Sequence, residues 1–275
     1  DETKRELVQR LKSYAVAGIV PEFIDLKYLY VELKVNPYYN PSLNDNRENL
    51  KTGISNALTQ YSRSIDVNKF GGRFKYSKAV SLIDNVDSSI TSNITLVTIR
   101  RNLKAVLGQF AQYEVCYGNM FHTQESSYNI VSTGFTIEGV TETVYLADEV
   151  INRDKGRIFF FTYTEGGTPN IIKKNAGTVD YMHGEILIDT VNILSTVIAN
   201  NVVEIQAIPH SNDIVGLRDL YVKFDMTNTT INMVQDLIAS GENTSGSRFV
   251  HTHSYYTPTF TRKSSSPVST AAALL

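Results

Sequence analysis

The chain has no tryptophan and a single cysteine, Cys116, in 275 residues. One thiol excludes an intramolecular disulfide and a cysteine-built zinc cage. Cys116 falls in an alternating stretch, residues 112–117, where a small packed side chain is favoured over a nucleophile. Charge is scarce as well, with 20 % charged residues and a net charge of −2. That balance lacks the basic excess with which nucleic-acid binders neutralise phosphates, so no nucleic-acid partner is expected. No signal-peptide pattern and no apolar run of bilayer length is present, so no membrane partner is expected, and the setting reads as reduced, soluble and intracellular. The matches Asn93-Ile94-Thr95, Asn228-Thr229-Thr230 and Asn243-Thr244-Ser245 then read as chance sequons. No Gly-x-Ser-x-Gly elbow and no His-Glu-x-x-His helix occurs. Gly71-Gly72-Arg73 lacks the spacing of a phosphate loop. No catalytic residue, no cofactor and no metal site is expected.

What the chain has in quantity is tyrosine, 16 residues, beside 12 phenylalanines. Tyrosine joins contact area to a polar tip and suits protein interfaces, although it also follows strand content. The chain opens on Asp1-Glu2-Thr3-Lys4 and runs into a helix carrying Leu7, Val8, Leu11, Tyr14 and Ala15. This opening suggests the C-terminal part of a longer protein. Gly18 suits the end of that helix.

From residue 21 the pattern reads strand, helix, Gly-Gly loop, helix, strand. Leu29, Val31, Leu33 and Val35 alternate with Tyr30, Glu32, Lys34 and Asn36, which predicts a half-buried strand opened by Pro21. Residues 37–41, with two prolines, read as a stiff turn. Asn44 or Asp45 is placed to cap a helix whose stripe is Leu50, Ile54, Ala57, Leu58, Tyr61 and Ile65. Gly71-Gly72 reads as a backbone device before a second helix with Tyr76, Ala79, Val80, Ile83 and Val86. Ile94, Leu96 and Thr98 restart an alternating strand, and residues 110–117 form another extended segment.

Beyond Gly118 the helical period disappears. Strands are predicted at 134–137, 143–146, 157–163, 170–173, 178–181, 185–189, 202–208 and 219–224. Asp154-Lys155-Gly156, Gly166-Gly167 and Met182-His183-Gly184 read as hairpin turns. Asp180, Glu185 and Asp189 read as the solvent face of the last hairpin. Residues 230–239 read as a helix. The fold class expected is α+β, a small helix-on-sheet α/β domain (strand-helix-helix-strand) plus a β-rich sandwich-like domain. The organisation expected is an N-terminal helix (1–20), the α/β domain (21–118), the β-rich domain with a terminal helix (119–240), and a linker and tail (241–275). Residues 118–124 are the candidate hinge.

The short basic pairs Arg100-Arg101 and Arg262-Lys263 read as solvated, or as salt bridges to a partner subunit. His251 and His253 share one side of an extended segment, the only histidine spacing suited to a metal, but no further ligand accompanies them. Surface or interface histidines are the favoured reading, and a metal-dependent hydrolase is a rival class.

Residues 21–101 resemble the baseplate J-type family of contractile phage tails. The likeness rests on the strand between Pro21 and Pro37, the helix ending near Tyr61, Phe70-Gly71, the helix start Tyr76-Ser77 and the strand 94–99. Asn175-Ala176-Gly177-Thr178-Val179-Asp180-Tyr181 and Gly184-Glu185-Ile186 are similar to the C-terminal half of the baseplate wedge proteins of T-even-type phages. The resemblance implies a non-enzymatic structural subunit of the virion tail baseplate, assembled in the host cytoplasm. It implies self-association as a homodimer within an inner ring and binding of other wedge subunits. It carries over no catalytic residue. Tyr28, Tyr30, Tyr38 and Tyr39 on the first strand and turn, with Tyr255, Tyr256 and Phe260 in the tail, are the candidate partner-binding residues. A receptor- or glycan-binding tail adhesin is the alternative.

Overall fold

The computed structural model describes residues 2–14, 27–124, 127–217 and 219–236. Helix α1 (Glu2–Tyr14) leaves Leu7, Leu11 and Tyr14 exposed on one stripe. Strand β1 (Lys27–Tyr39) buries Leu29, Val31, Leu33 and Val35, as the alternation predicts. It does not turn at residues 37–41. Pro37 pairs with Asn93 inside the strand, and the chain turns at 41–43. The proline is tolerated because β1's other neighbour changes there, from a pairing at Lys34 and Val35 to one at Tyr38 and Tyr39. No ladder N–H is required in that gap.

Helix α2 (Arg47–Ser62) is capped by Asn46, whose side chain accepts from the Asn49 N–H at 3.0 Å. The expected cap Asn44 instead accepts from the Asn46 N–H at 3.0 Å, one turn of chain earlier. Leu50, Ile54, Leu58 and Tyr61 face the sheet. The helix stops before Ile65, which is 81 % exposed rather than part of the stripe. Strands β2 (Lys69–Phe70) and β3 (Arg73–Phe74) follow, joined through Gly71 at φ +58. A Cβ at Gly72 would lie 2.2 Å from the Val67 carbonyl oxygen, so the close approach needs glycine. Helix α3 (Tyr76–Asp84) buries Ala79 and Ile83.

Strand β4 (Ile90–Lys104) pairs antiparallel with β1 and matches Val31 to Ile99, Leu33 to Val97 and Val35 to Thr95. This register puts Thr95, Val97 and Ile99 beneath the helices, one residue out of phase with Ile94, Leu96 and Thr98. The remaining strands are β5 (Phe110–Cys116), β6 (Ile130–Ser132), β7 (Phe135–Ile137), β8 (Tyr145–Val150), β9 (Lys155–Tyr163) and β10 (Pro169–Asp180). They continue as β11 (Glu185–Thr196), β12 (Val202–Ala207), β13 (Ile214–Val215), β14 (Leu220–Phe224), β15 (Thr230–Ile231) and β16 (Val234–Gln235). The two strands predicted at 170–173 and 178–181 are one strand, β10, broken only by register shifts. Gly156, expected in a turn, sits inside β9 and packs against the ring of Tyr181. The β10–β11 hairpin closes at residues 181–184, with Gly184 at φ +67.

The helix expected over 230–239 is absent up to residue 236. β15 and β16 instead run parallel to β1. The Asn232 and Asp236 N–H groups donate to the Val35 and Tyr39 carbonyls, each at 2.8 Å. An open strand edge with unpaired carbonyls outcompetes a short local helix. Residues 237–239 lie outside the described residues.

The main sheet has the order β2-β14-β1-β4-β12-β6-β8-β9-β10-β11-β5, with β7, β15 and β16 alongside. The fold is α+β, a small helical layer and one large mixed sheet that does not close into a barrel. The sheet runs across the expected boundary at residue 118, because β12 pairs with β4 and β14 pairs with β1. The candidate hinge is tied at both sides. Phe121 is 1 % exposed, and its N–H and that of His122 reach the Tyr181 and Ile208 carbonyls at 2.8 Å.

Candidate interaction site

The face of β1 opposite the helices carries Tyr28, Tyr30 and Glu32, by strand alternation alone. Parallel pairing with β14 sets Tyr28 beside Tyr221 and Tyr30 beside Lys223. The Tyr28 ring lies 5.6 Å from Tyr30 and, edge-on, 5.6 Å from Tyr221. Phe70 of β2 stands edge-on to Tyr221 at 5.4 Å and is 51 % exposed. The Lys223 ammonium sits 5.7 Å from the centre of Tyr28 and 5.6 Å from that of Tyr30. The result is an aromatic patch with one ammonium at a sheet edge, the residue types that dominate protein interfaces.

Beneath the patch Arg100 fixes Tyr30, its guanidinium 4.2 Å from the ring centre. Arg100 is not solvated, as the sequence suggested for the pair 100–101. It is 3 % exposed. Its Nε donates to Glu32 at 2.5 Å, Nη1 to Glu204 at 2.6 Å and Nη2 to Asp225 at 2.6 Å. Asn102 accepts a further bond from Nη1 at 2.6 Å. Gln206 donates to the second Glu32 oxygen at 2.9 Å, and Asn228 donates to Asp225 at 2.8 Å. One cation thus joins β1, β4, β12 and the end of β14. Burial raises the pKa of the Tyr30 hydroxyl, which the Arg100 charge only partly offsets, so it stays a protonated donor at neutral pH.

Of the predicted contact residues, Tyr28 and Tyr30 share this patch and are half-buried. Tyr38 and Tyr39 are buried, at 9 % and 3 % exposure. Tyr255, Tyr256 and Phe260 lie outside the described residues, as do His251 and His253. Phe70, read in the sequence only as part of Phe70-Gly71, completes the patch with Tyr221 and Lys223, none of the three having been a predicted contact residue. Their neighbourhood with β1 depends on a crossover of nearly two hundred residues, about which local pattern says nothing.

A second aromatic group lies on β8 and β9. Phe159 and Phe161 are buried under the half-buried rings of Tyr128, Tyr145 and Tyr163. Asp180, Glu185 and Asp189 do line the solvent side of their hairpin, with Asp180 accepting from His183 at 3.0 Å. Cys116 is partly buried, and burial pushes its thiol pKa up, away from thiolate chemistry. Among the described residues no group of three or more His, Cys, Asp or Glu is placed to hold a metal ion.

The strand-helix-helix-strand unit is similar to a structural protein of phage tail baseplates. Residues 27–102 match the family described as baseplate structural protein gp6, C-terminal domain III. The match runs from the first residue of β1 to Asn102 of β4 and covers well under half of the 275 residues. It supports this likeness and not specifically the baseplate J-type family. No curated protein matches the chain.

Proposed function

We propose that the chain is a non-enzymatic structural subunit of a phage tail baseplate, acting in the wedge and inner ring by self-association and by binding other wedge subunits. The observation that carries this reading is the likeness over residues 27–102 to a baseplate structural protein, falling on one complete structural unit. The aromatic patch on that unit's outer face supports contact with protein as the mode of action. Small contacts of this kind gain strength when repeated around a closed ring. On this reading the protein resides in the virion tail baseplate and passes through the host cytoplasm during assembly.

The test is light scattering coupled to size exclusion over a concentration series. A species near twice the chain mass of 30.8 kDa that persists on dilution is expected. Tyr28→Ala lowers association far more than it lowers the melting temperature, whereas Tyr221 is left in place because its hydroxyl donates to the Asn68 carbonyl at 2.7 Å and holds the fold. A strict monomer at every concentration, with no binding to wedge proteins of the same phage, overturns the reading. The half-buried rings of Tyr128, Tyr145 and Tyr163 favour a second reading, a glycan-binding tail adhesin, because sugars stack on exposed aromatic faces. A glycan array without hits removes it.

A further inference from the structure

β1 and β4 part company beyond the Tyr30–Arg100 pair, while β4 continues along β12 as far as Lys104. A cavity of about 470 Å³ opens in the gap, between residues 101–104 of β4, residues 114–116 of β5, Lys27 and the start of β14. Arg101 lines it. The Arg101 Nε and Nη1 atoms are buried, and neither has a hydrogen-bond acceptor among the described residues. The two carboxylates in the wall do not accept from these atoms. Asp219 lies 3.9 Å from Lys27 with both side chains mostly in solvent, and Glu114 is exposed. Burial lowers the Arg101 pKa from its ordinary value, yet a guanidinium stays charged at neutral pH. A buried cation without an acceptor costs free energy that a matching anion would recover.

We infer that this cavity receives a carboxylate side chain from a neighbouring protein chain, which supplies an acceptor that Arg101 Nε and Nη1 lack among the described residues. A carboxylate, like a phosphate, can take paired hydrogen bonds along one edge of the guanidinium, and the rest of the wall chooses between them. Leu103, Leu217 and Leu220 in the wall suit the aliphatic stem of a glutamate. Lys27 and Lys104 offset Glu114 and Asp219 in the same wall, so the aliphatic lining rather than charge favours a carboxylate on a hydrocarbon stem over a phosphate. The neighbouring chain as the source of the carboxylate rests on the assembly reading, whereas the carboxylate chemistry rests on Arg101 and the cavity wall.

The experiment is a titration of the full ¹⁵N-labelled chain, following the Arg101 Nε–H resonance by NMR. The probes are N-acetylglutamate amide, glutarate and inorganic phosphate, at constant ionic strength. N-acetylglutamate amide is expected to shift the signal saturably, at least about tenfold more tightly than phosphate, in line with burial of its two methylenes against the leucine wall. Arg101→Gln abolishes the saturable shift of neighbouring amides, and Arg101→Lys weakens it. Wild-type titration alone decides the point if a variant fails to fold. No saturable shift at Arg101, or phosphate binding as tightly, overturns the carboxylate assignment. Glutarate binding more tightly than N-acetylglutamate amide assigns the cavity to a free diacid and overturns the neighbouring chain as source. These readouts are independent of the light-scattering test, so a monomer that binds the glutamate probe separates failure of the assembly reading from failure of this one.

Discussion

Replacing Arg100 with methionine removes the one cation that holds Glu32, Glu204 and Asp225 together in a buried site. Methionine nearly preserves the volume and the stem packing, so the loss is electrostatic rather than a cavity. All three carboxylates are at most 11 % exposed and lose a bond of 2.5–2.6 Å. Breaking a buried ion pair by deleting one partner costs about 3–5 kcal/mol, and three uncompensated acids put this variant at the upper end. Urea unfolding followed by circular dichroism reads the change. With a slope of about 3 kcal/mol/M, the midpoint falls by about 1.3–1.7 M. Arg100→Lys keeps the charge but cannot fan out to three acids and stack on Tyr30, so it loses an intermediate amount, about 2 kcal/mol. The decisive comparison adds Glu32→Gln, Glu204→Gln and Asp225→Asn to Arg100→Met. Neutralising the acids recovers part of the loss, because the coupling between them disappears with the charge. A loss below about 1 kcal/mol for Arg100→Met, or strict additivity in the combined variant, would refute the claim that the cluster is desolvated and coupled.

The further predictions concern the β-rich part. Gly184→Ala costs at least about 2 kcal/mol in chemical denaturation, because φ is +67 and the added Cβ meets the Asn119 carbonyl oxygen at 2.0 Å. A neutral result there would show that the β10–β11 turn can relax away from residue 119. Asp148→Ala leaves the Asn129 and Ile130 N–H groups and the Tyr181 hydroxyl, all within 2.8 Å of the Asp148 carboxylate, without their acceptor, and costs about 3–5 kcal/mol. Burial raises the Asp148 carboxyl above the ordinary 3.8. The native state therefore holds that proton more tightly than the unfolded one, and this contribution to stability is full below pH 3.8 and lost as pH rises through the folded-state value. Urea midpoints compared with Asp148→Asn across that range isolate the slope, and parallel curves would count against it. By NMR, His183 titrates above 6.5 because Asp180 accepts from its ring, and Asp180→Asn returns it toward 6.5. His122 titrates below 6.5, chiefly because it is partly buried, with a smaller push from His210. Its neutral form favours the folded state, so its share of stability is lost as pH falls through the folded-state value.

The alternation of Leu29 to Val35, the stripe Leu50, Ile54 and Leu58, and the turn glycines Gly71, Gly167 and Gly184 were legible because each expresses a local rule. Side-chain period and positive φ are properties of a few consecutive residues. The same locality explains the errors. Ile94, Leu96 and Thr98 marked an alternating strand, which the structure has, and pairing with β1 buried the other set, Thr95, Val97 and Ile99. Thr230 to Gln235 has a period compatible with a helix, and the carbonyl edge of β1 made it two strands. Arg100 and Arg101 read as solvated charge, because nothing in a pair of arginines reveals acids up to 125 residues away.

The site divides in the same way. Tyr28 and Tyr30 were visible as alternating tyrosines, while Phe70, Tyr221 and Lys223 joined them only when β14 returned to lie along β1. By itself the sequence determined the strand β1 with its apolar face, the helix α2 with its stripe, most of the strands after residue 118, and the likeness to a baseplate structural protein. The order of strands, the buried phase of β4, the strands β15 and β16 in place of a helix, and the acids gathered round Arg100 were decided by tertiary structure alone. Local periodicity is set by backbone geometry within a few residues, whereas strand partnership is set by which distant edges and apolar faces complete one another at least cost in unpaired backbone and buried charge.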